Sequence, residues 1–247
     1  MSLVESLEGR PTLQRGAAQL PSALTVGNLF CGFAAVIQAL HHEYAFAAQL
    51  VVLAGIFDVL DGRIARLTGT TSELGAELDS LADLVSFGVA PAIIAYEWGL
   101  VPHGQPFLAP FVLVMCAALR LARFNVLRQT ADGRTFTGLP SPAAAGMVVS
   151  LVVLHPEQPV GSFAAYLVPG VLVLAGALMI SAVPYCSFKK TKFTWHRYQI
   201  VAVVLIGLVA VVTEPAAVLF LLSWGYAAAG GVRALARARS SADVLEL

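Results

Sequence analysis

Four aspartates, Asp58, Asp61, Asp79 and Asp83, stand in or beside long apolar runs of this chain. An unpaired carboxylate in hydrocarbon is costly, so these four need partners. On a helix, Asp58, Asp61, Gly62, Ala65 and Arg66 fall on one stripe, at i, i+3, i+4, i+7 and i+8. Gly75, Asp79 and Asp83 fall on one stripe of the following helix, in steps of four. The polar turn Thr68 to Ser72 lets the two stripes face each other. Four carboxylates converging on one point repel, and hard divalent cations offset that repulsion, because Mg2+ and Mn2+ prefer oxygen ligands. Two such ions between aspartates suit phosphoryl transfer, where metal neutralises charge on the attacking and leaving oxygens. An ion-paired hairpin without metal is the alternative, but Arg63 and Arg66 do not balance four carboxylates. Divalent-cation transport is a reading of another class, since intramembrane aspartates mark ion paths. It would want carboxylates near mid-membrane, and it has no use for a glycine-lined site beside an arginine.

Arg120, Arg123 and Asn125 form a second cluster at the end of an apolar run. They fit either an anion clamp for phosphate or carboxylate, or ordinary snorkelling at a helix end. The basic loop with Lys189, Lys190, Lys192 and Arg197 sets topology, attracts anionic headgroups, or both. Cys31, Cys116 and Cys186 lack metal-ligand spacing, and the first two sit in apolar runs as small core residues.

These groups must be positioned by membrane helices. The chain has 247 residues, of which 58% are hydrophobic and 12% charged, with a mean hydropathy of +0.79. That composition points to an all-α, polytopic transmembrane bundle and away from a soluble domain. A formal net charge of +0 excludes a global basic field for nucleic acid. About eight spans are expected, near 23–40, 44–67, 75–98, 107–127, 143–154, 163–183, 198–212 and 215–235, with Pro21 marking the first helix start and Pro91 kinking the third span. With that topology all 15 lysines and arginines fall on one side, and the loops near His42, His103, Pro156 and Glu214 carry none. The positive-inside rule then places both termini and the aspartates at the cytoplasmic face of the inner membrane. The stiff segment Phe136 to Pro142 is expected as a lip over the site.

The aspartate pattern resembles the signature of the CDP-alcohol phosphotransferases, D-x-x-D-G-x-x-A-R, eight residues, then G-x-x-x-D-x-x-x-D. Every fixed position is met, by Asp58, Asp61, Gly62, Ala65, Arg66, Gly75, Asp79 and Asp83. Further stretches resemble the membrane-integrated members that use serine: Thr25 with Asn28-Leu-Phe-Cys-Gly32-Phe33, Ser86-Phe-Gly-Val-Ala-Pro91, Arg120-Leu-Ala-Arg123-Phe-Asn125, Gly138-Leu-Pro-Ser-Pro142, and Tyr185 with Ser187-Phe-Lys189. The resemblance implies a six-helix catalytic core over 23–190, a cytoplasmic segment 1–22, additional helices over 191–237 and a tail 238–247. It implies transfer of a phosphatidyl group from CDP-diacylglycerol to L-serine with release of CMP. Glycerol 3-phosphate and inositol phosphate are the competing acceptors. On this reading Asp58, Asp61, Asp79 and Asp83 hold two metal ions, Mg2+ or Mn2+, and Asp83 is also the general base. Gly62, Ala65, Arg66, Gly75 and Asn28 take the lipid donor, and Arg120, Arg123, Asn125 and Lys189 take the acceptor. No Ser, Cys or His stands with a base at triad spacing, which favours direct in-line displacement. Membrane lipids are partners, and the small-residue faces permit a homodimer.

Overall fold

The computed structural model describes residues 11–68, 72–129, 137–159, 162–183 and 213–245. Helix α1 spans Pro11–Leu40 and α2 Tyr44–Thr68. A third rod, Glu73–His103, opens as α3 (Glu73–Asp83), widens into a π turn over Leu84–Val89, tightens into α4 (Ala90–Ala95), and widens again over Tyr96–Leu100. It is followed by α5 (Leu108–Gln129), α6 (Ser141–Leu154), α7 (Ser162–Ile180) and α8 (Pro215–Leu245). Five of these segments are long and apolar enough to cross a membrane: Ala23–Leu40, Tyr44–Leu67, Glu73–His103, Leu108–Leu127 and Pro215–Val232. Ser141–Leu154 and Tyr166–Ile180 are shorter apolar helices. The expected spans therefore reappear as helices of a polytopic membrane protein, apart from the one near 198–212. That span and the basic loop with Lys189 lie outside the described residues.

Three boundaries differ from expectation. The first helix begins at Pro11, not Pro21. A proline at the first helical position loses only an N–H that has no intrahelical partner anyway. The third rod starts at Glu73, where Ser72 caps it by accepting from the Gly75 N–H at 3.0 Å, and it stays helical to His103, past the end of the span expected near residue 98. Pro91 is accommodated by the wide turn immediately before it, where the Ala90 N–H reaches back to the Val85 carbonyl. Such a π turn re-aims the helix without leaving a run of backbone groups unpaired.

Small residues let the helices approach. Ala35, Ala39, Ala47, Ala48 and Ala54 are fully buried along α1 and α2. At Gly32 a Cβ would stand 2.8 Å from the Ser86 Cα, so α1 lies directly on the backbone of the π turn. The Ser86 hydroxyl donates to the Asn28 carbonyl at 2.9 Å, fastening the same contact. Helix α6 is the buried axis of the bundle, with Ala144, Ala145, Met147, Val148, Val149 and Val152 inside. Phe30, Phe33, Ile37, Phe46, Ile56, Phe111, Leu119 and Leu221 face outward, as lipid-exposed side chains should.

The end remote from the aspartates is tied by polar contacts. Trp98 donates its indole N–H to the carbonyls of His155 and Glu157, at 3.0 and 2.9 Å. Gln158 donates to the Tyr44 hydroxyl at 2.9 Å. A cavity of about 600 Å³ is lined there by Trp98, Leu151, His155, Gln158 and Val168.

The Gly32 contact generates a prediction. Gly32→Ala forces α1 away from the π turn, and overpacking of this kind costs about 1–3 kcal/mol. Thermal unfolding in detergent should show a clear fall in Tm for Gly32→Ala. Gly225→Ala, where a Cβ meets nothing within 4 Å, should leave Tm unchanged or raise it, since alanine is the better helix former.

Candidate active site

Helices α2 and α3 deliver the carboxylates, because the turn between them brings their facing stripes together. One oxygen each of Asp58, Asp61 and Asp79 lies within 4.8 Å of the others. Asp61 is buried, and Asp58 and Asp79 are half-buried. Asp83, one turn beyond Asp79, stands outside this triad, although its charge interacts with Asp58, Asp79 and Asp61. Three oxygens from separate carboxylates, clustered this closely on two adjoining helices, form a hard donor set that suits a divalent cation.

Helix α1 supplies what holds the aspartates in place. The Thr25 hydroxyl donates to Asp61 Oδ2 at 2.9 Å. Asn28, fully buried, donates its Nδ2–H to Asp83 Oδ1 at 3.1 Å. Thr25, Asn28 and Gly32 lie at i, i+3 and i+7, so one face of α1 grips both aspartate helices. The Asn28 Oδ1 has no hydrogen-bond partner in its buried position. The sequence marked Thr25 and Asn28 as polar residues in an apolar span and as part of a family-like stretch, but not as the partners of Asp61 and Asp83.

The remaining predicted positions separate. Arg66 is exposed but reaches Asp61 electrostatically, and its guanidinium lies 3.6 Å from where a Gly62 Cβ would sit. Gly62 thus keeps that face flat for the arginine, and Ala65 and Gly75 are half-buried beside it. Arg120 is half-buried, donates its Nη1–H to the Ser141 hydroxyl at 2.9 Å, and lies within electrostatic reach of Asp83. Its Nε is buried without a partner. Arg123, one turn on, is exposed. Asn125 turns to a different stripe of α3, donating to Glu77 at 3.2 Å and exchanging hydrogen bonds with Ser80. It fastens α5 to α3 through Glu77 and Ser80, and among the described residues no hydrogen bond joins it to the four aspartates.

The expected lip is an anchor. The Gly138 and Leu139 N–H groups donate to the carbonyls of Val183 and Leu178, at 2.8 and 2.9 Å, and Leu139 is fully buried. Gly138 takes φ +90° with its Cα facing the Met179 backbone, a position where a side chain would be strained and would clash. This anchor sets the start of α6 and hence Ser141 against Arg120. Tyr226, from α8, also lies within electrostatic reach of Arg120, so the last helix contributes to the same neighbourhood.

Sequence comparison gives this geometry a context. Residues 18–228 match the CDP-alcohol phosphatidyltransferase family, a stretch that passes Lys190 and enters α8. The chain is 41% identical over 187 residues to a CDP-diacylglycerol–serine O-phosphatidyltransferase of Helicobacter pylori (strain J99), covering 75% of this chain and 79% of that one. It is 36% identical over 212 residues to the Mycobacterium leprae protein of the same name, covering 83% and 69%. It is also 36% identical over 168 residues to an archaetidylserine synthase of Methanothermobacter thermautotrophicus, covering 67% and 69%. The match spans the aspartate helices, the α1 face that holds them and the arginine helix α5, and the chain belongs to the CDP-alcohol phosphatidyltransferase family.

Proposed function

We propose that the protein transfers the phosphatidyl group of CDP-diacylglycerol to the hydroxyl of L-serine, forming phosphatidylserine and CMP. The observation that carries this reading is the aspartate triad with a fourth carboxylate and a half-buried arginine within its electrostatic reach, in a chain similar to enzymes named for that reaction. Asp58, Asp61 and Asp79 hold divalent metal, Mg2+ or Mn2+, which when bound neutralises charge on the diphosphate. Arg66 pairs with the donor's diphosphate from the open side of Gly62. Asp83 accepts the proton of the serine hydroxyl as that oxygen attacks the phosphorus bearing the diacylglycerol. The bond from that phosphorus to the CMP oxygen breaks, and CMP leaves. Asn28 orients Asp83 for this step through its Nδ2–H. Arg120 takes the serine carboxylate on its unpartnered Nε, with Ser141 fixing the guanidinium plane.

The site, both termini and the basic loops are placed on the cytoplasmic side of the inner membrane. The support is the one-sided distribution of lysine and arginine. The aspartates, Arg66 and Arg120 share one end of the bundle, opposite Trp98 and Gln158.

Three tests follow. Asp58→Asn, Asp61→Asn and Asp79→Asn should each abolish metal-dependent CMP release from CDP-diacylglycerol while the protein still inserts and elutes as wild type. Near-normal turnover in any two of them would sink the metal site. Arg120→Ala should raise the serine KM by about tenfold to a hundredfold, the equivalent of a charge-assisted hydrogen bond of about 1.5–3 kcal/mol, and leave the CDP-diacylglycerol KM comparatively unchanged. A loss confined to the lipid donor would move Arg120 to the phosphate site. A cysteine at Glu157 should label from outside intact cells and one at Glu73 should not; both positions are exposed, and the reverse pattern would invert the topology.

A further inference from the structure

We propose that Asn28 determines the acceptor class: its Oδ1 accepts a hydrogen bond from the ammonium group of an amino-alcohol, while its Nδ2 holds the base that receives the hydroxyl proton. The inference deepens the proposed transfer and rests on that reading. Asn28 is fully buried, yet only one end of its amide is used by the protein. Toward an ionised Asp83, the form in which it serves as base, the amide turns its NH2, as it does in this structure, and Oδ1 is left as the orphan. A buried acceptor left unpaired costs about 1–3 kcal/mol, a penalty removed when a ligand brings a donor. The orphan oxygen also stands close to the reacting position. Nδ2 is 3.1 Å from Asp83 Oδ1, and within one amide the oxygen and nitrogen are two short bonds apart, so Oδ1 lies within about 6 Å of the carboxylate. That is a reach suited to an α-amino group and a β-hydroxyl on neighbouring carbons.

Charge makes the same selection. Asp58, Asp61, Asp79 and Asp83 crowd this end of the bundle, and Arg120 is a cation within electrostatic reach of Asp83. An acceptor carrying one cation and one carboxylate finds an acceptor at Asn28 and a donor at the Arg120 Nε, itself buried and unpartnered. A sugar or glycerol phosphate brings two negative charges and no ammonium to the same place. Two buried orphans of opposite kind, an acceptor on the amide that binds Asp83 and a donor on the arginine within its electrostatic reach, complement a zwitterionic alcohol whose hydroxyl goes to that carboxylate.

The test compares L-serine with 3-hydroxypropionate, which is serine without its amino group, using full-length protein in detergent with CDP-diacylglycerol and Mg2+. Wild type should prefer serine by at least about tenfold in kcat/KM, the value of one hydrogen bond to a charged group. In Asn28→Ala and Asn28→Thr that preference should shrink toward unity. Misplacing Asp83 slows both acceptors alike and does not move the ratio, so the ratio separates ammonium recognition from positioning. An unchanged ratio in variants that turn over, or a wild type indifferent to the amino group, overturns the proposal, and the wild-type arm stands even if a variant fails to fold. A change confined to the CDP-diacylglycerol KM assigns Asn28 to the donor instead and overturns it equally. Absence of CMP release from wild type with any amount of serine would mean that the underlying reaction is wrong, a result distinct from either.

Discussion

The structure depends on holding carboxylates together where water is scarce. Asp58, Asp61 and Asp79 are close enough to share an ion, and Asp83 adds a fourth charge. Their repulsion acts to push α2 and α3 apart, and in a low-dielectric setting that force is poorly screened. The opposing grip comes from α1, through Thr25 on Asp61 and Asn28 on Asp83. The contact of Gly32 with the Ser86 backbone brings α1 close enough for both bonds to form. The π turn that carries Ser86 therefore belongs to the site as much as to the fold: it presents the backbone on which α1 rests, immediately after Asp83.

Much of this was legible in the sequence, for physical reasons. A carboxylate in an apolar run is rare enough to announce a site, and helical periodicity put Asp58 with Asp61 on one stripe and Asp79 with Asp83 on another, which the short turn between the helices then faces together. The apolar runs themselves marked the helices, since a membrane span must be long and nearly uncharged. The boundaries were less readable. Pro21 suggested a start because proline breaks most helices, yet the chain is already helical from Pro11. The extension from Gly99 to His103 was hidden by a glycine and a proline that read as a loop.

Side-chain partners were legible only in part. Arg120 and Arg123 are one turn apart and appeared equivalent, but three residues rotate a helix by less than a full turn. The difference leaves Arg120 against Ser141 and Arg123 in the open. Asn125 shared their level but not their direction, and it is spent on Glu77 and Ser80. Thr25 and Asn28 gave the weakest signal, because their partners lie 36 and 55 residues away. No local pattern encodes a pairing at that separation.

The brevity of α6 has a mechanical consequence. Its 14 residues cover about 21 Å at 1.5 Å each, against a hydrocarbon layer of about 30 Å. A helix this short leaves a large share of its terminal N–H and C=O groups without partners of its own. Both ends are met by protein: Gly138 and Leu139 by the carbonyls of Val183 and Leu178, and His155 and Glu157 by the Trp98 indole. Neighbouring segments thus do for α6 what extra turns do for a longer helix, and its length is free to be set by what it must position, Ser141 against Arg120.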